Sequence, residues 1–440
     1  MFAQRWRSWI SWTEGSKLLP ATYIYGDTSR HSTQWHLRSP RLKAHERAVV
    51  SGLKKHPEPV HYQIPPTAFH QQMHTIRYKG SVPLHGRFAS AVRRNVNAYF
   101  KEHGIATTAD TSMVVKAVVM VAAYLIPFVL LLAIPMSAWL ALLLVVAMGI
   151  GLAGIGMAVM HDGVHGATSK HPWMNKLLGG SMYLLGGNVF TWKIQHNVMH
   201  HTHTNINELD RDIGSRGWLR FSEHTRLKRV HRFQYIHAFF FYGLMTLTKV
   251  FNDLFLLAKL NRTGITRDHG LHPTKEFVSM IVIKLVYFSV FVGLPLLLTP
   301  LTWWQVLLGW GVMHFIAGVI LGTVFQLAHL VEGAEQPLPD ENGIIGNDWA
   351  VHEVRTTANF APNNWLLNWY VGGLNFQIEH HLFPHICHVH YPKIAPIVER
   401  TAIEHGLVYN LKPTLGSALA SHVRRLRSLG RDRAAAPSPV

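Results

Sequence analysis

Two long stretches of the chain contain no charged side chain, and they constrain its fold more than any other feature. The first runs from Ala117 to Met160 and the second from Leu285 to Val331. A helix needs about 20 apolar residues to cross the hydrocarbon core of a bilayer, so each stretch is long enough for two crossings. We therefore predict two helical hairpins. Their turns are expected at Pro135–Ser137 and Pro295–Pro300, because proline suits turns better than helix interiors.

Charge predicts the orientation of these hairpins. Both turns lack lysine and arginine, while nearly all of the 42 basic residues lie before, between or after the hairpins. By the positive-inside rule, residues 1–112, 161–276 and 332–440 are expected in the cytoplasm. Two further apolar stretches, Leu177–Trp192 and Ala238–Leu257, are short or interrupted by charge, and we interpret them as interfacial or re-entrant helices. The predicted fold is all-α, with four transmembrane helices below a cytoplasmic helical cap.

Composition divides the chain into three parts. Residues 1–72 show no apolar periodicity, so we interpret them as an N-terminal extension that is disordered or reflects a misassigned start, with Met73 as the expected first functional residue. Residues 73–420 form the predicted membrane domain, which includes an amphipathic helix around Phe88–His103. Residues 421–440 are predicted to be a disordered basic tail.

The net charge of +18 raises the question of nucleic-acid binding. The sequence contains no nucleic-acid-binding motif, and anionic membrane lipids or an acidic protein partner account for the excess of basic residues. We therefore predict no nucleic-acid partner. The single cysteine, Cys387, excludes an internal disulfide and is compatible with a reducing cytoplasm, and we interpret it as structural.

Three histidine clusters lie at or beyond the ends of apolar stretches. They are His161-Asp-Gly-Val-His165, His196-Asn-Val-Met-His200-His201 and Gln377-Ile-Glu-His380-His381. Neutral imidazole is the commonest protein ligand for transition metals, and separations of three or four residues put side chains on one helix face. Because the chain has 31 histidines, doublets alone prove nothing. Three such clusters on one predicted side of the membrane indicate a metal centre at its surface.

The number of clustered histidines indicates two metal ions, since a zinc ion takes only four ligands in a structural site. Nitrogen-rich ligation suits iron, copper, zinc or nickel, and only the redox-active metals use oxygen against an inert substrate. The membrane supplies an apolar substrate. Together these features favour oxidation of an alkyl chain by a di-iron centre.

The frames HDGVH, TWKIQHNVMHHTHTNI and GGLNFQIEHHLFPHICHVHYPKI closely resemble those of the membrane fatty acid desaturases. The third frame is similar to the front-end and acyl-CoA or acyl-lipid branch, in which glutamine replaces the first histidine. The resemblance covers residues 73–409. It implies four spans in two hairpins, a cytoplasmic helical cap that holds two iron ions, and the use of molecular oxygen and two electrons for each double bond.

The resemblance also implies which residues bind the iron ions. The implied ligands are His161, His165, His196, His200, His201, His329, His380 and His381. The position of His329 near the inner end of the last predicted span independently favours this role. Gln377 occupies a ligand position but is a poor iron ligand, so it is expected to act through water or to order the ligands. Asp162, Asp210 and Asp212 are expected to hydrogen-bond ligand imidazoles.

Other polar and aromatic residues receive structural interpretations. His314 lies within the last predicted span and is interpreted as a packing residue, although ionisable groups inside a membrane are often functional. Trp192 and the 365–369 region are equally compatible with interface anchors and substrate contacts. Four histidines that flank the boxes are interpreted as solvated, with ligand orientation as the alternative: His203, His385, His388 and His390.

The implied function is that of a fatty acyl desaturase that inserts a cis double bond into an acyl-CoA or acyl-lipid, with a front-end delta-6 or delta-5 position favoured. No His-Pro-Gly-Gly haem motif precedes the first predicted span, so electrons are expected from ferredoxin or from cytochrome b5 with its reductase. One alternative is a di-iron membrane hydroxylase of a lipid or alkyl substrate. A histidine-rich metal transporter is another, but it would need ligands inside the bilayer, where only His314 is predicted.

Overall fold

The computed structural model describes residues 76–80, 85–214 and 217–431. Within these residues, four helices are long and apolar enough to cross a membrane, which confirms the predicted number by length and composition. They are named the first to fourth spans: Thr111–Ala133, Ala138–His165, Pro273–Leu298 and Trp303–His329. The predicted extension and the expected start at Met73 lie outside the described residues.

The first hairpin turn agrees with its prediction, whereas the second is shorter. The first span ends at Ala133, and Ser137 caps the second by accepting a hydrogen bond from the backbone N–H of Leu140. In the second hairpin, Pro295 lies inside the third span, just after a π-helical turn at Ser289–Gly293. A proline ring clashes with the carbonyl four residues earlier in a regular α-helix, and the wider π turn relieves that clash.

The first and third spans begin before the uncharged stretches and contain buried lysines. Lys116 in the first span and Lys284 in the third are 4% and 7% exposed. Lys284 donates hydrogen bonds to the backbone carbonyls of Gly186 and Val250. The predicted cytoplasmic segments end at residues 112 and 276, so both spans begin only a few residues before their predicted starts, and both lysines lie inside the predicted spans. A charge count along the sequence does not show that these lysines have buried partners.

Two further apolar stretches do not form straight spans. The region around 177–192 is divided into short helical segments: Pro172–Gly179, Gly180–Leu185 and Val189–Lys193. The second stretch lies in two helices, Arg229–Gly243 and Met245–Arg262, which meet at an angle of 67°. Counted together as one broken span, this bent pair would raise the number of candidate spans to five.

The helices outside the spans include the predicted amphipathic one, which runs from Phe88 to Glu102. It buries Phe88, Val92 and Phe100 in an apolar cluster shared with the helix Tyr391–Glu404. The remaining helices are Ile194–His200, Ile265–Asp268, Trp349–Thr356, Trp365–Tyr370, Gln377–Leu382 and Leu415–Leu429, with short 3₁₀ turns at His85–Arg87 and His388–His390. Two short parallel pairs join Arg77–Tyr78 to Ile344–Ile345 and Asn359–Phe360 to Leu411–Lys412.

The predicted disordered tail begins inside the last helix. Leu415–Leu429 is capped by Thr414 and buries Ala418, His422 and Leu426. The prediction of disorder was therefore wrong for residues 421–431, because the helix keeps its basic residues mostly on the outer side and packs its apolar side against the domain. Residues 432–440 lie outside the described part of the chain.

Candidate metal centre

The first histidine box lies at the end of the second span. Ile155–Met160 is π-helical, and His161–His165 continues the span as an α-helix. Gly166 ends it in the left-handed conformation, with φ of 76°, which glycine adopts without strain. The ring centroids of His161 and His165 are 4.7 Å apart. The box therefore presents both imidazoles at one end of the span.

The second box folds as a π-helix, Ile194–His200, and not as the α-helix that its spacing predicts. The backbone N–H of His201 donates to the carbonyl of His196 at 3.0 Å, a bond between residues five apart. Because a π turn brings such residues together, His196 lies beside both His200 and His201, with ring centroids 5.1 and 4.8 Å away. The wider turn thus gathers three histidines where an α-helix would gather two.

The third box, on the short helix Gln377–Leu382, follows a tight turn that packs against the second span. Gly372 and Gly373 in this turn have φ of 60° and 65°. A Cβ atom on Gly372 would lie 2.6 Å from Cα of Ala158, so only glycine permits this approach. The close packing brings the third box to the first, with the ring centroids of His380 and His161 4.5 Å apart.

The three boxes and His329 converge on two groups of ligand atoms. The four-histidine cluster consists of His161, His165, His196 and His380, and the three-histidine cluster of His200, His329 and His381. Within each cluster, one ligand atom from every residue lies within 4.8 Å of the others. His201 lies between the clusters, with its ring centroid 4.6 Å from that of His380 and 4.4 Å from that of His381. All eight histidines implied as ligands are therefore at one site.

Many buried ring nitrogens at this site have no hydrogen-bond partner within the described part of the chain. They are Nε2 of His165, His200, His380 and His381, and both ring nitrogens of His201 and His329. Unpaired buried polar atoms are costly and uncommon. Nε2 of His161 and Nε2 of His196 lie 3.2 Å apart, close to the separation of two nitrogens that bind one transition metal at about 2.1 Å. The donor set fits two metal ions.

The electrostatics of the site favour neutral imidazole. Burial lowers the pKa of four ligands outside the spans well below the ordinary value, and neighbouring imidazoles lower it further: His196, His201, His380 and His381. His200 differs, because burial opposes its protonation but the Asp210 carboxylate outweighs burial and raises the pKa of His200. Neutral imidazole is the form that binds metals, so the lowered pKa of His196, His201, His380 and His381 agrees with a ligand role.

Two of the aspartates expected near the ligands contact them. Nδ1 of His196 lies 3.0 Å from Oδ2 of Asp212, and Nδ1 of His200 lies 2.9 Å from Oδ2 of Asp210. When Nδ1–H donates to a carboxylate, the lone pair on Nε2 is left for a metal. Asp210 is also fixed in place, because it accepts a hydrogen bond from the backbone N–H of Asn205.

Glu353 supports the third box, and the sequence analysis did not identify it. Its Oε2 lies 2.7 Å from Nδ1 of His381 and accepts a hydrogen bond from the Thr204 hydroxyl at 2.8 Å. Burial raises the pKa of Glu353, and the Thr204 hydroxyl opposes that rise. Glu353 lies on the buried face of the helix Trp349–Thr356. An acidic residue on the apolar face of an amphipathic helix is the signal that would have revealed it.

Asp162 contacts a ligand less directly than expected. Its Oδ1 lies 3.5 Å from Nδ1 of His161, longer than a hydrogen bond, whereas its Oδ2 lies 2.8 Å from Nδ1 of His388.

The interpretation of the flanking histidines as solvated was wrong for three of the four, which are buried: His203, His388 and His390. His388 and His390 contact Asp162 and the carbonyl of Thr108, which are distant in the chain, so local sequence does not reveal their burial. His385 is exposed.

Gln377 lies at the edge of the site. Its Nε2 donates to the carbonyl of Leu374 at 2.9 Å, and its side chain also lies beside His329. Neither ring nitrogen of His329 has a hydrogen-bond partner of normal geometry among the described residues. Gln377 is thus adjacent to the three-histidine cluster and tied to the backbone of its own loop.

Trp192 and His314 have different surroundings. Trp192 stacks on His196 with ring centroids 4.4 Å apart and a 30° interplanar angle, so it forms one wall of the metal site. His314 is buried away from the site, where its Nε2 lies 2.6 Å from the Tyr287 hydroxyl and its Nδ1 lies 3.2 Å from the Thr246 hydroxyl. The packing role predicted for His314 agrees with these contacts.

Fold and site together define a helical protein with four membrane-length apolar helices and a histidine centre that fits two metal ions. The model of the fatty acid desaturase family matches residues 137–413, which is more than half of the chain. The protein therefore belongs to the fatty acid desaturase family and is an oxidoreductase.

Characterised relatives extend this similarity over most of the chain. This chain is 36% identical over 350 residues to the sn-1 linoleoyl-lipid 6-desaturase of Synechocystis sp.. The aligned region covers 78% of this chain and 96% of that protein. It is 34% identical over 345 residues to the acyl-lipid (8-3)-desaturase of Physcomitrium patens, and the aligned region covers 78% of this chain and 72% of that protein. It is 31% identical over 284 residues to delta(5) fatty acid desaturase A of Dictyostelium discoideum, and the aligned region covers 63% of this chain and 60% of that protein. These names do not support the hydroxylase alternative.

Proposed function

We propose that this protein is a front-end acyl-lipid desaturase that inserts a cis double bond at the delta-6 or delta-5 position, using two iron ions and molecular oxygen. The observation that carries the proposal is the convergence of eight histidines with unpaired nitrogens, seven in two adjacent clusters and His201 between them, in a chain of the desaturase family. Nitrogen-rich ligation suits iron. When bound, the iron ions would supply oxygen activation and removal of hydrogen from two adjacent methylenes.

The chain's own residues orient the ligands and exclude water. Asp210, Asp212 and Glu353 accept Nδ1–H bonds, which fixes the tautomer and leaves Nε2 for the metal. Nearly all of the ligand side chains are buried, and Trp192 covers His196. Regiochemistry then depends on where the protein holds the acyl chain relative to the clusters, which is a matter of positioning.

We propose four crossings, with the metal centre and both termini in the cytoplasm. His165 ends the second span and His329 the fourth, and both belong to the same site. The chain must therefore cross the membrane an even number of times between them. The third and fourth spans already make two crossings, so the bent pair is interfacial or re-entrant. The distribution of basic residues supports a cytoplasmic location for the site.

The relatives support a lipid-linked substrate that already carries a double bond, because the Synechocystis protein is named for a linoleoyl-lipid and for position 6. The glutamine at Gln377 agrees with the front-end branch. We propose that electrons arrive from ferredoxin or from cytochrome b5 with its reductase. A net charge of +18 favours an acidic donor.

The test is expression in a host that makes linoleoyl lipids and contains a compatible electron donor, followed by fatty acid profiling. We expect a new cis double bond at position 6 or 5, located by derivatisation and mass spectrometry, and none with His381→Ala. A position counted from the methyl end would contradict the front-end assignment alone. A hydroxylated product would contradict the desaturase assignment.

A further inference from the structure

A buried lysine near the start of the first span requires a physical explanation. Lys116 is 4% exposed, and a buried ammonium group is strongly unfavourable unless it is paired. Its Nζ lies 2.7 Å from Nε2 of His388 and 5.9 Å from the ring centroid of Trp369. Lys116 belongs to none of the histidine boxes, yet its main partner lies in the loop that follows the third box.

The contacts of His388 determine where its proton lies. Lysine can only donate, so Nε2 of His388 accepts the hydrogen bond from Lys116. Nδ1 of His388 then carries the hydrogen and donates to Oδ2 of Asp162 at 2.8 Å. The backbone N–H of His388 donates to the same oxygen at 3.0 Å. A neutral His388 thus links a cation in the first span to a carboxylate in the first box.

Asp162 continues the contacts toward a metal ligand. Its second oxygen, Oδ1, lies 3.5 Å from Nδ1 of His161. On the other side of that ring, Nε2 lies 3.2 Å from Nε2 of His196. His161 therefore presents Nδ1 to the carboxylate and Nε2 to the four-histidine cluster, which is where this series of contacts ends.

A separate metal site is the competing interpretation of these groups. Asp162, Cys387 and His388 offer ligand atoms within 4.8 Å of one another. However, Lys116 already places a positive charge 2.7 Å from His388, and a second cation there would be repelled. The ammonium group supplies the charge that a metal ion would otherwise provide.

We propose that Lys116 and His388 are positioning residues for one half of the metal centre. They hold the Asp162 carboxylate against His161 and so complete the four-histidine cluster, whereas the three-histidine cluster forms without them. The proposal rests on the two-metal function proposed above. It assigns a role to one residue in the first span and one in the loop after the third box.

The experiment compares iron content and Mössbauer spectra of full-length proteins purified in detergent and loaded with iron(II). Lys116→Met removes the charge at similar volume, and His388→Leu removes both side-chain hydrogen bonds of His388 but keeps the bond from its backbone N–H to Asp162. His388→Gln is the conservative variant, because its amide can donate to Asp162 and accept from Lys116. Lys284→Met is the matched control, since Lys284 is a similarly buried lysine whose partners are backbone carbonyls.

We expect Lys116→Met and His388→Leu to retain about one iron per chain with loss of one Mössbauer component, and His388→Gln and Lys284→Met to retain about two. Two irons and an unchanged spectrum in both Lys116→Met and His388→Leu would overturn the proposal. Loss of both irons in these variants, or an equal loss in Lys284→Met, would also overturn it. If Lys116→Met does not fold, the comparison of iron content between His388→Leu and His388→Gln tests the proposal instead. Wild-type protein that binds no iron would instead refute the proposed function.

Discussion

Nδ1 of His381 lies 2.7 Å from Oε2 of Glu353, and this contact connects the third histidine box to a helix that contains no predicted ligand. Both side chains are fully buried. Since Nδ1 donates to the carboxylate, Nε2 of His381 is left unpaired within the three-histidine cluster. Glu353 therefore completes a set of carboxylates that also includes Asp210 and Asp212.

Replacement of Glu353 should weaken metal binding while preserving the fold. Glu353→Gln keeps the side-chain volume but replaces the carboxyl group that contacts both His381 and Thr204 with an amide, so we expect iron affinity or desaturase activity to fall about 10- to 100-fold. Iron content after dialysis against a weak chelator measures the change. Glu335→Gln is the control, because Glu335 pairs with Arg355 at the surface, and it should behave as wild type. Equal iron retention by both variants would contradict the role of Glu353.

His329 and His314 lie on the same span and should behave differently. We expect His329→Ala to abolish activity and reduce bound iron, because His329 belongs to the three-histidine cluster. His314→Ala should retain iron but lower the melting temperature, because it removes one of the two hydrogen-bond partners of the buried Tyr287 hydroxyl and leaves only Trp310, at a cost of about 1–3 kcal/mol. Iron content and thermal unfolding of the two variants separate these effects. Normal turnover by His329→Ala would show that a residue other than His329 completes the metal ligands.

The hairpin turns should face away from the metal centre. Cysteines introduced by Ser137→Cys and Thr299→Cys are expected to resist a membrane-impermeant maleimide applied from the cytoplasmic side, whereas Glu341→Cys should react. The native Cys387 is buried, so its labelling background should be low. Cytoplasmic labelling at either turn would contradict the proposed topology.

Gln377 should tolerate only polar replacement. Its amide is tied to the carbonyl of Leu374 and lies beside His329, so Gln377→His is expected to retain activity and Gln377→Ile to lose most of it. An apolar side chain there would leave the buried carbonyl unpaired and remove a polar neighbour of the three-histidine cluster. Fatty acid profiles of the two variants test this, and full activity of Gln377→Ile would show that the polar group is dispensable.

His422 should make stability depend on pH. Burial lowers the pKa of His422 to about 4, although its hydrogen bond to the carbonyl of Leu330 opposes this. The unfolded chain binds a proton near the ordinary value of about 6.5, so the stability that neutral His422 contributes is present above that pH and is lost as pH falls toward 4. The full effect is about 3 kcal/mol.

His422→Gln should therefore show a shallower fall in apparent melting temperature between pH 7 and pH 4.5 than the wild type does. His103→Gln changes an exposed histidine and serves as the control, with the wild-type slope expected. If the melting temperature of His422→Gln fell with pH as steeply as that of the wild type, groups other than His422 would cause the acid sensitivity.

The sequence determined the features that depend on local pattern. Uncharged apolar stretches of sufficient length predicted four membrane-length helices because hydrocarbon accepts few unpaired charges. Spacings of three or four residues predicted that the imidazoles within one box lie close together. Periodicity also revealed the helix Phe88–Glu102, whose buried residues lie along one face.

Tertiary structure decided the features that depend on partners distant in the chain. The burial of Lys116 and Lys284 could not be predicted locally, because it depends on His388 and on backbone carbonyls far away in sequence. Glu353 reaches its histidine across 28 positions. The π-helical form of the second box follows from no local spacing rule. The free energy of these groups is set by what surrounds them, and only the folded chain defines those surroundings.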